Sequence, residues 1–166
     1  MIKNGWRSDQ EYLSYVGELL RRPEVLRLAN YKQHYFSNRL DHSISVSYVS
    51  YRLAKSLHLN AKATARAGLL HDLFYYDWRT TKFNSGTHAW IHPRIAVRNA
   101  EKFTKLSQLE RDIILRHMWG ATIRPPRYPE GYIVTLVDKY EATAEFSHPL
   151  FVRYEKRLKQ HLKITD

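Results

Sequence analysis

A carboxylate ends an apolar run in this chain: Ala65-Arg66-Ala67-Gly68-Leu69-Leu70 leads straight into His71-Asp72. An aspartate at the edge of a core is costly unless a cation or a hydrogen-bonded partner meets it. Asp138 makes the same demand, because four of the five residues before it, Ile133-Val134-Thr135-Leu136-Val137, are apolar. His42 lies upstream of the first acid, and His92 and His117 lie between the two. Imidazole nitrogens and carboxylate oxygens are donors that divalent metals accept. The fold must therefore bring distant segments to one point, where the order His, His-Asp, His, His, Asp forms a ligand set for one or two ions.

No cysteine is present, so disulfides and thiolate metal sites are impossible and only nitrogen and oxygen ligands remain. Adjacent helical residues point about 100° apart, so His71 and Asp72 cannot chelate as an i, i+4 pair can. They serve a metal from a helix end, or Asp72 bridges two ions with its two oxygens. In two-metal sites the ions lie about 3.5–4 Å apart, and a bound water loses its proton near neutral pH. That chemistry suits hydrolysis of a phosphoester by a metal-bound hydroxide.

The pattern is helical nearly throughout, and 166 residues suffice for one domain with a proper core. Ser8 and Glu11 predict a capping box for a first helix carrying Tyr12, Val16, Leu19 and Leu20. Pro23 opens a short second helix over 24–30. A third runs from about Asp41 to Leu57, and Asn60 caps a fourth over 61–71. Residues 75–86 read as a loop that could lie over a pocket. His92-Pro93 opens the next helix, and Ser107 with Glu110 caps the one that ends at His117. Pro125, Pro126, Pro129 and Gly131 mark a loop, followed by a helix from Tyr132 to about Phe146. A basic helix over 149–164 ends the chain. The expectation is an all-α, single-domain bundle of six to eight helices over 1–166, with the metal-binding core at about 31–148.

These residues resemble the HD superfamily of metal-dependent phosphohydrolases, in the order His42, His71-Asp72, Asp138. His92 and His117 are similar to the two further histidines of its dinuclear branches. The likeness runs from about Arg39 to Glu145 and includes His92-Pro93-Arg94-Ile95-Ala96 and Val137-Asp138-Lys139-Tyr140-Glu141-Ala142. It implies that His42, His71 and Asp138 hold one ion, that Asp72 bridges, and that His92 and His117 hold the other. It also implies one or two divalent ions, iron or manganese or else nickel, cobalt, magnesium or zinc. The spacing is similar to small HD enzymes that cleave dinucleoside tetraphosphates. Many members place a lysine soon after the His-Asp pair, where this chain reads Leu73-Phe74-Tyr75-Tyr76.

The formal net charge of +11 speaks to partners rather than to fold. The resemblance implies an anionic small-molecule partner, a nucleotide, with which this charge is compatible. Arg39, Arg79 and Arg127 are the expected substrate-binding residues, with Lys82 and Arg124 as further candidates, since guanidinium forks match phosphate oxygens. Arg39 lies one helical turn before His42 and joins Asp72 as an expected catalytic residue. Tyr75, Tyr76 and Trp78 could stack a nucleobase or anchor their loop. His88 could compete with His92 for an ion. The first residues lack the apolar stretch of a secretory signal, and no run is long enough for a membrane span. Those features predict a cytoplasmic protein without a membrane partner. Two other roles fit the sequence. One is a regulatory module that binds metal and nucleotide without turnover. The other is nucleic-acid binding through the basic surface, whose affinity would fall steeply with salt.

Overall fold

Asp9 accepts the amide of Tyr12 at 3.0 Å and so starts α1 (Gln10–Leu20). The expected Ser8–Glu11 box does not form. Ser8 donates to Gly5 O at the end of a 3₁₀ turn, and Glu11 pairs with Lys55. A carboxylate is a stronger acceptor than a hydroxyl for the free amides of a first turn. The computed structural model describes residues 5–33, 38–84 and 86–143. The expected helix over 149–164 lies outside the described residues, as do His34, His148 and His161.

Pro23 opens α2 (Pro23–Leu26), which tightens into a 3₁₀ turn over Arg27–Asn30. Asn38 caps α3 (Arg39–Ser56), and Asn60 caps α4 (Ala61–Leu70). A long irregular segment then leads to α5 (His88–Ala100), and Ser107 opens α6 (Gln108–Arg116). The last described helix, α7, covers 129–143. The described residues form no strand, only two isolated bridges, Lys32 with Asn38 and Trp119 with Thr122. The chain is all-α, and no described helix is long and apolar enough to cross a membrane.

Two further helix starts differ from expectation. His92-Pro93 does not open α5, which begins four residues earlier with Thr87 as N-cap and carries Pro93 inside it. Pro93 lacks the amide that would bond back to Ala89, and α5 continues past it to Ala100. α7 starts at Pro129, not at Tyr132. Proline suits a first helical position, and Gly131 fits there because a Cβ would stand 2.6 Å from that of Pro126.

The core joins Tyr12, Val16 and Leu19 of α1 to Val46 and Tyr51 of α3, Leu69 and Leu70 of α4, Ile113 and Ile114 of α6, and Val134 of α7. α3 and α4 cross most closely at Ser47 and Gly68. Ser47 accepts from the Tyr12 hydroxyl at 2.8 Å and donates to Ala65 O at 2.6 Å. A Cβ on Gly68 would lie 2.9 Å from Ser47 Cα, so only glycine permits this approach. Arg66 binds Glu110 at 2.5 Å and Thr104 at 2.9 Å, tying α4 to α6. Glu130 accepts the Asn60 amide at 3.0 Å, tying the start of α7 to that of α4. Asn99 donates to Leu73 O at 2.9 Å, tying α5 to the turn after α4.

The Ser107–Glu110 capping box forms in both directions. Ser107→Ala is expected to cost about 1 kcal/mol and to lower the melting temperature by about 2–4 °C, read by thermal denaturation. Glu110 also holds Arg66, so Glu110→Ala is expected to cost more than the cap alone.

Candidate metal centre

Each candidate ligand stands at a helix end or on a buried helix face. His42 lies in the first turn of α3, His71 and Asp72 follow α4, and His117 follows α6. His92 lies inside α5. The five are buried, and Asp138 on α7 keeps 16 % of its side chain exposed, so the cluster opens to solvent on that side.

Three imidazoles are oriented by backbone close to them in sequence. Nδ1 of His71 donates to Gly68 O at 2.7 Å, Nδ1 of His92 to His88 O at 2.9 Å, and Nδ1 of His117 to Ile114 O at 2.8 Å. A carbonyl can only accept, so these nitrogens carry hydrogen and each Nε2 is turned to the cluster as a potential ligand.

His42 Nε2 lies 3.0 Å and His71 Nε2 3.5 Å from Asp138 Oδ1. His92 Nε2 lies 3.2 Å and His117 Nε2 3.7 Å from Asp72 Oδ1, and the two Nε2 atoms lie 2.9 Å apart. His71 Nε2 lies 3.7 Å from Asp72 Oδ2. Ligands at about 2.1 Å from one ion and 90–109° apart are separated by about 3.0–3.4 Å, so these gaps suit donors sharing a cation. Two groups of three qualify: His42, His71 and Asp138, and His71, Asp72 and His117. Buried His71 Nε2 has no hydrogen-bond partner, and the Nε2 lone pairs of His92 and His117 face one another. The residues present therefore fit a divalent ion.

Charge in the cluster is strongly coupled. Burial opposes ionisation of Asp72, yet His71, His92 and His117 outweigh it and hold the carboxyl well below its usual range. Asp138 is lowered in the same way, by His42 and His71 against burial. Burial disfavours the His71 cation, but Asp72 and Asp138 reverse this and raise it to about 9. Burial, then His92 and His71, pushes His117 down to about 3. Without an ion, His71 is thus the cation that answers the carboxylates.

A pH dependence follows. The raised His71 value stabilises the metal-free fold below about pH 6.5, and this contribution is lost as pH rises through about 9. The lowered carboxyl values act oppositely, contributing above the ordinary carboxyl range and failing in acid. A metal must displace the His71 proton, so affinity is expected to rise with pH up to about 9. Calorimetric titration in buffers of different ionisation enthalpy should report proton release at pH 7.

The expected substrate cations are placed differently from one another. Arg39 is wholly buried. It donates to Gln33 Oε1 at 2.7 Å, Phe74 O at 2.7 Å and Tyr76 O at 3.3 Å, and its guanidinium lies 3.6 Å over the Phe74 ring. Its fork is committed inside the protein rather than offered to a phosphate. Arg79 is exposed, and among the described residues its guanidinium makes one hydrogen bond, to Gln33 O at 3.2 Å. Arg127 is exposed, with Nε 3.9 Å from Asp112. Lys82 and Arg124 are exposed.

The loop aromatics pack against the body. The Tyr75 hydroxyl donates to Glu24 O at 3.0 Å, Tyr76 meets His88 Nδ1 at 3.1 Å, and Trp78 stacks on His88. His88 in turn stacks on His92, with ring centroids 4.3 Å apart. His88 therefore stands behind His92 rather than beside it in the cluster. Sequence reasoning did not find Gln33, whose Nε2 donates to Asp72 Oδ2 at 2.5 Å. No motif marks that residue.

Residues 39–143 match the HD domain family. The chain belongs to the HD-domain family. Among curated proteins this HD domain is similar to Ribonuclease Y of Thermotoga petrophila, 30% identical over 136 residues, which is 80% of this chain and 25% of that protein. It is also similar to Ribonuclease Y of Aquifex aeolicus, 32% identical over 112 residues, 68% of this chain and 18% of that protein. Ribonuclease Y of Mesoplasma florum matches at 31% over 103 residues, 61% of this chain and 18% of its own length. The chain spans about a quarter or less of these relatives.

Proposed function

We propose that this HD domain is a metal-dependent phosphohydrolase that cleaves a phosphodiester in RNA or a nucleotide. The observation that carries the reading is the convergence of buried His42, His71, Asp72, His92 and His117 with partly exposed Asp138, with Nε2 of three rings turned inward by backbone bonds. The name of the relatives, Ribonuclease Y, favours an RNA phosphodiester over the free nucleotide that the resemblance alone implies.

In this reading His42, His71 and Asp138 hold one divalent ion, and Asp72 with His92 and His117 holds another. A bound ion supplies a Lewis acid and lowers the pKa of water. Asp138, on the solvent side, marks where substrate enters. We assign substrate contact to Arg79, whose guanidinium is exposed and, among the described residues, singly bonded. Arg127 is the second candidate, exposed and 3.9 Å from an Asp112 that Arg116 already pairs at 2.7 Å. Arg39 is a positioning residue, given its burial and its bonds.

The test is a turnover screen of the full chain, metal-stripped and then loaded with manganese, iron, cobalt, nickel, magnesium or zinc. Substrates are short oligoribonucleotides, dinucleoside polyphosphates and cyclic nucleotides. Metal-dependent cleavage of oligoribonucleotides is the expected result. Cleavage confined to free nucleotides would correct the substrate, and tight nucleotide binding with no turnover under any ion would replace the enzyme reading with a regulatory one.

A further inference from the structure

Between the start of α5 and the end of α6 the surface sinks into a recess of about 130 Å³, lined by Trp90, Arg94, Leu115, Arg116, Thr122 and Arg124. Its arginines differ in what they meet. Arg116 is occupied, since Nε pairs with Asp112 at 2.7 Å and Nη1 donates to Pro125 O at 2.8 Å. Arg94 and Arg124 are exposed, and Arg94 donates to Trp90 O of its own helix. Both guanidiniums stand over the Trp90 ring, at 5.2 and 5.7 Å from its centre. Among the described residues no carboxylate lines the recess. An indole face attracts each cation and so gathers two like charges that repel one another. An anion between them relieves the repulsion, and guanidinium forks match phosphate oxygens. The recess is separate from the metal centre yet built on the same elements. Trp90 and His92 are two residues apart on α5, about 200° round the helix, so they leave it on opposite sides. That sets the recess and the cluster about one helix diameter apart, 10–12 Å, a gap that a strand of several nucleotides spans. Arg124 lies in the loop from His117 to α7, and Lys139, next to Asp138, donates to Trp119 O of that loop.

We infer that Arg94 and Arg124, gathered by Trp90, bind a backbone phosphate of single-stranded RNA away from the bond that is cut. Such a contact reads charge rather than bases, so it favours long strands over short ones without choosing a sequence. The substrate class rests on the RNA reading above. The test reads binding and not turnover, so either can fail alone.

The full chain is titrated with a phosphorothioate oligouridylate, a strand that resists cleavage, over a range of salt. On single strands log affinity falls with log salt by about 0.7 for each phosphate neutralised. Arg94→Gln combined with Arg124→Gln is expected to weaken binding and to make this slope shallower by about 0.7. Arg21→Gln with Arg52→Gln removes as much charge from exposed positions on α1 and α3 and is expected to leave the slope as it was. The same change in both pairs would assign binding to overall charge and overturn the inference, as would no change in either. A wild-type protein that binds inorganic phosphate but not the strand would make the recess a site for free anions, and would overturn it too. Trp90→Leu keeps both charges and removes the ring. It is expected to weaken strand binding in the same direction, and unaltered affinity there would overturn the part given to the indole.

Discussion

Asp72→Ala is expected to abolish metal-dependent turnover, with a loss of at least about 10³-fold, equivalent to about 4 kcal/mol. The carboxylate stands between His71, His92 and His117. Its removal would take away one of the two carboxylates of the cluster that would balance a bound cation in the proposed reading. Bound metal, measured by elemental analysis after gel filtration, is expected to fall with activity. His58→Asn is the control, because His58 is exposed on the surface and its φ of 56° suits asparagine. Full turnover in the Asp72 variant would remove the basis of the proposed chemistry.

Gly68→Val is expected to produce the largest loss of stability, about 3 kcal/mol from overpacking and about 6–12 °C in melting temperature. The new Cβ would meet Ser47 Cα at 2.9 Å, and a backbone atom cannot turn aside as a side-chain tip can. α3 and α4 must then part, which separates His42 from His71. Gly68→Ala should cost less, because part of the strain is returned as helix propensity, up to about 1 kcal/mol. Differential scanning calorimetry of both variants checks the order. A valine variant that melts with the wild type would mean that the helices have room at this crossing.

The convergence of these histidines and aspartates was legible because their chemistry is unusual in apolar surroundings. Acids beside apolar runs and histidines near helix ends leave a trace that spacing preserves. The Asn60 and Ser107 caps were legible for a similar reason, since each acts on an amide three residues away. Arg39 shows where such reasoning stops. Its position one turn before His42 fixes the helix face but not the partner, and the partners are carbonyls 35 and 37 residues away. Gln33 left no trace, because a neutral amide in a polar stretch looks like any surface glutamine until Asp72 is beside it. The start of α5 was misjudged because Pro93 suggested a first turn. Its missing amide is tolerated five residues into the helix.

The anchoring of three imidazoles by their own helices has an electrical consequence. No additional acid is needed to steady those rings, and among the described residues the cluster carries two carboxylates, Asp72 and Asp138. A single dication balances them. In the proposed reading a second dication would leave the cluster with a surplus of positive charge, which a phosphodiester arriving past Asp138 would neutralise. Anion and second ion would then each tighten the other's hold, as linkage requires, and scarce metal would leave a resting protein with one ion until its substrate arrives.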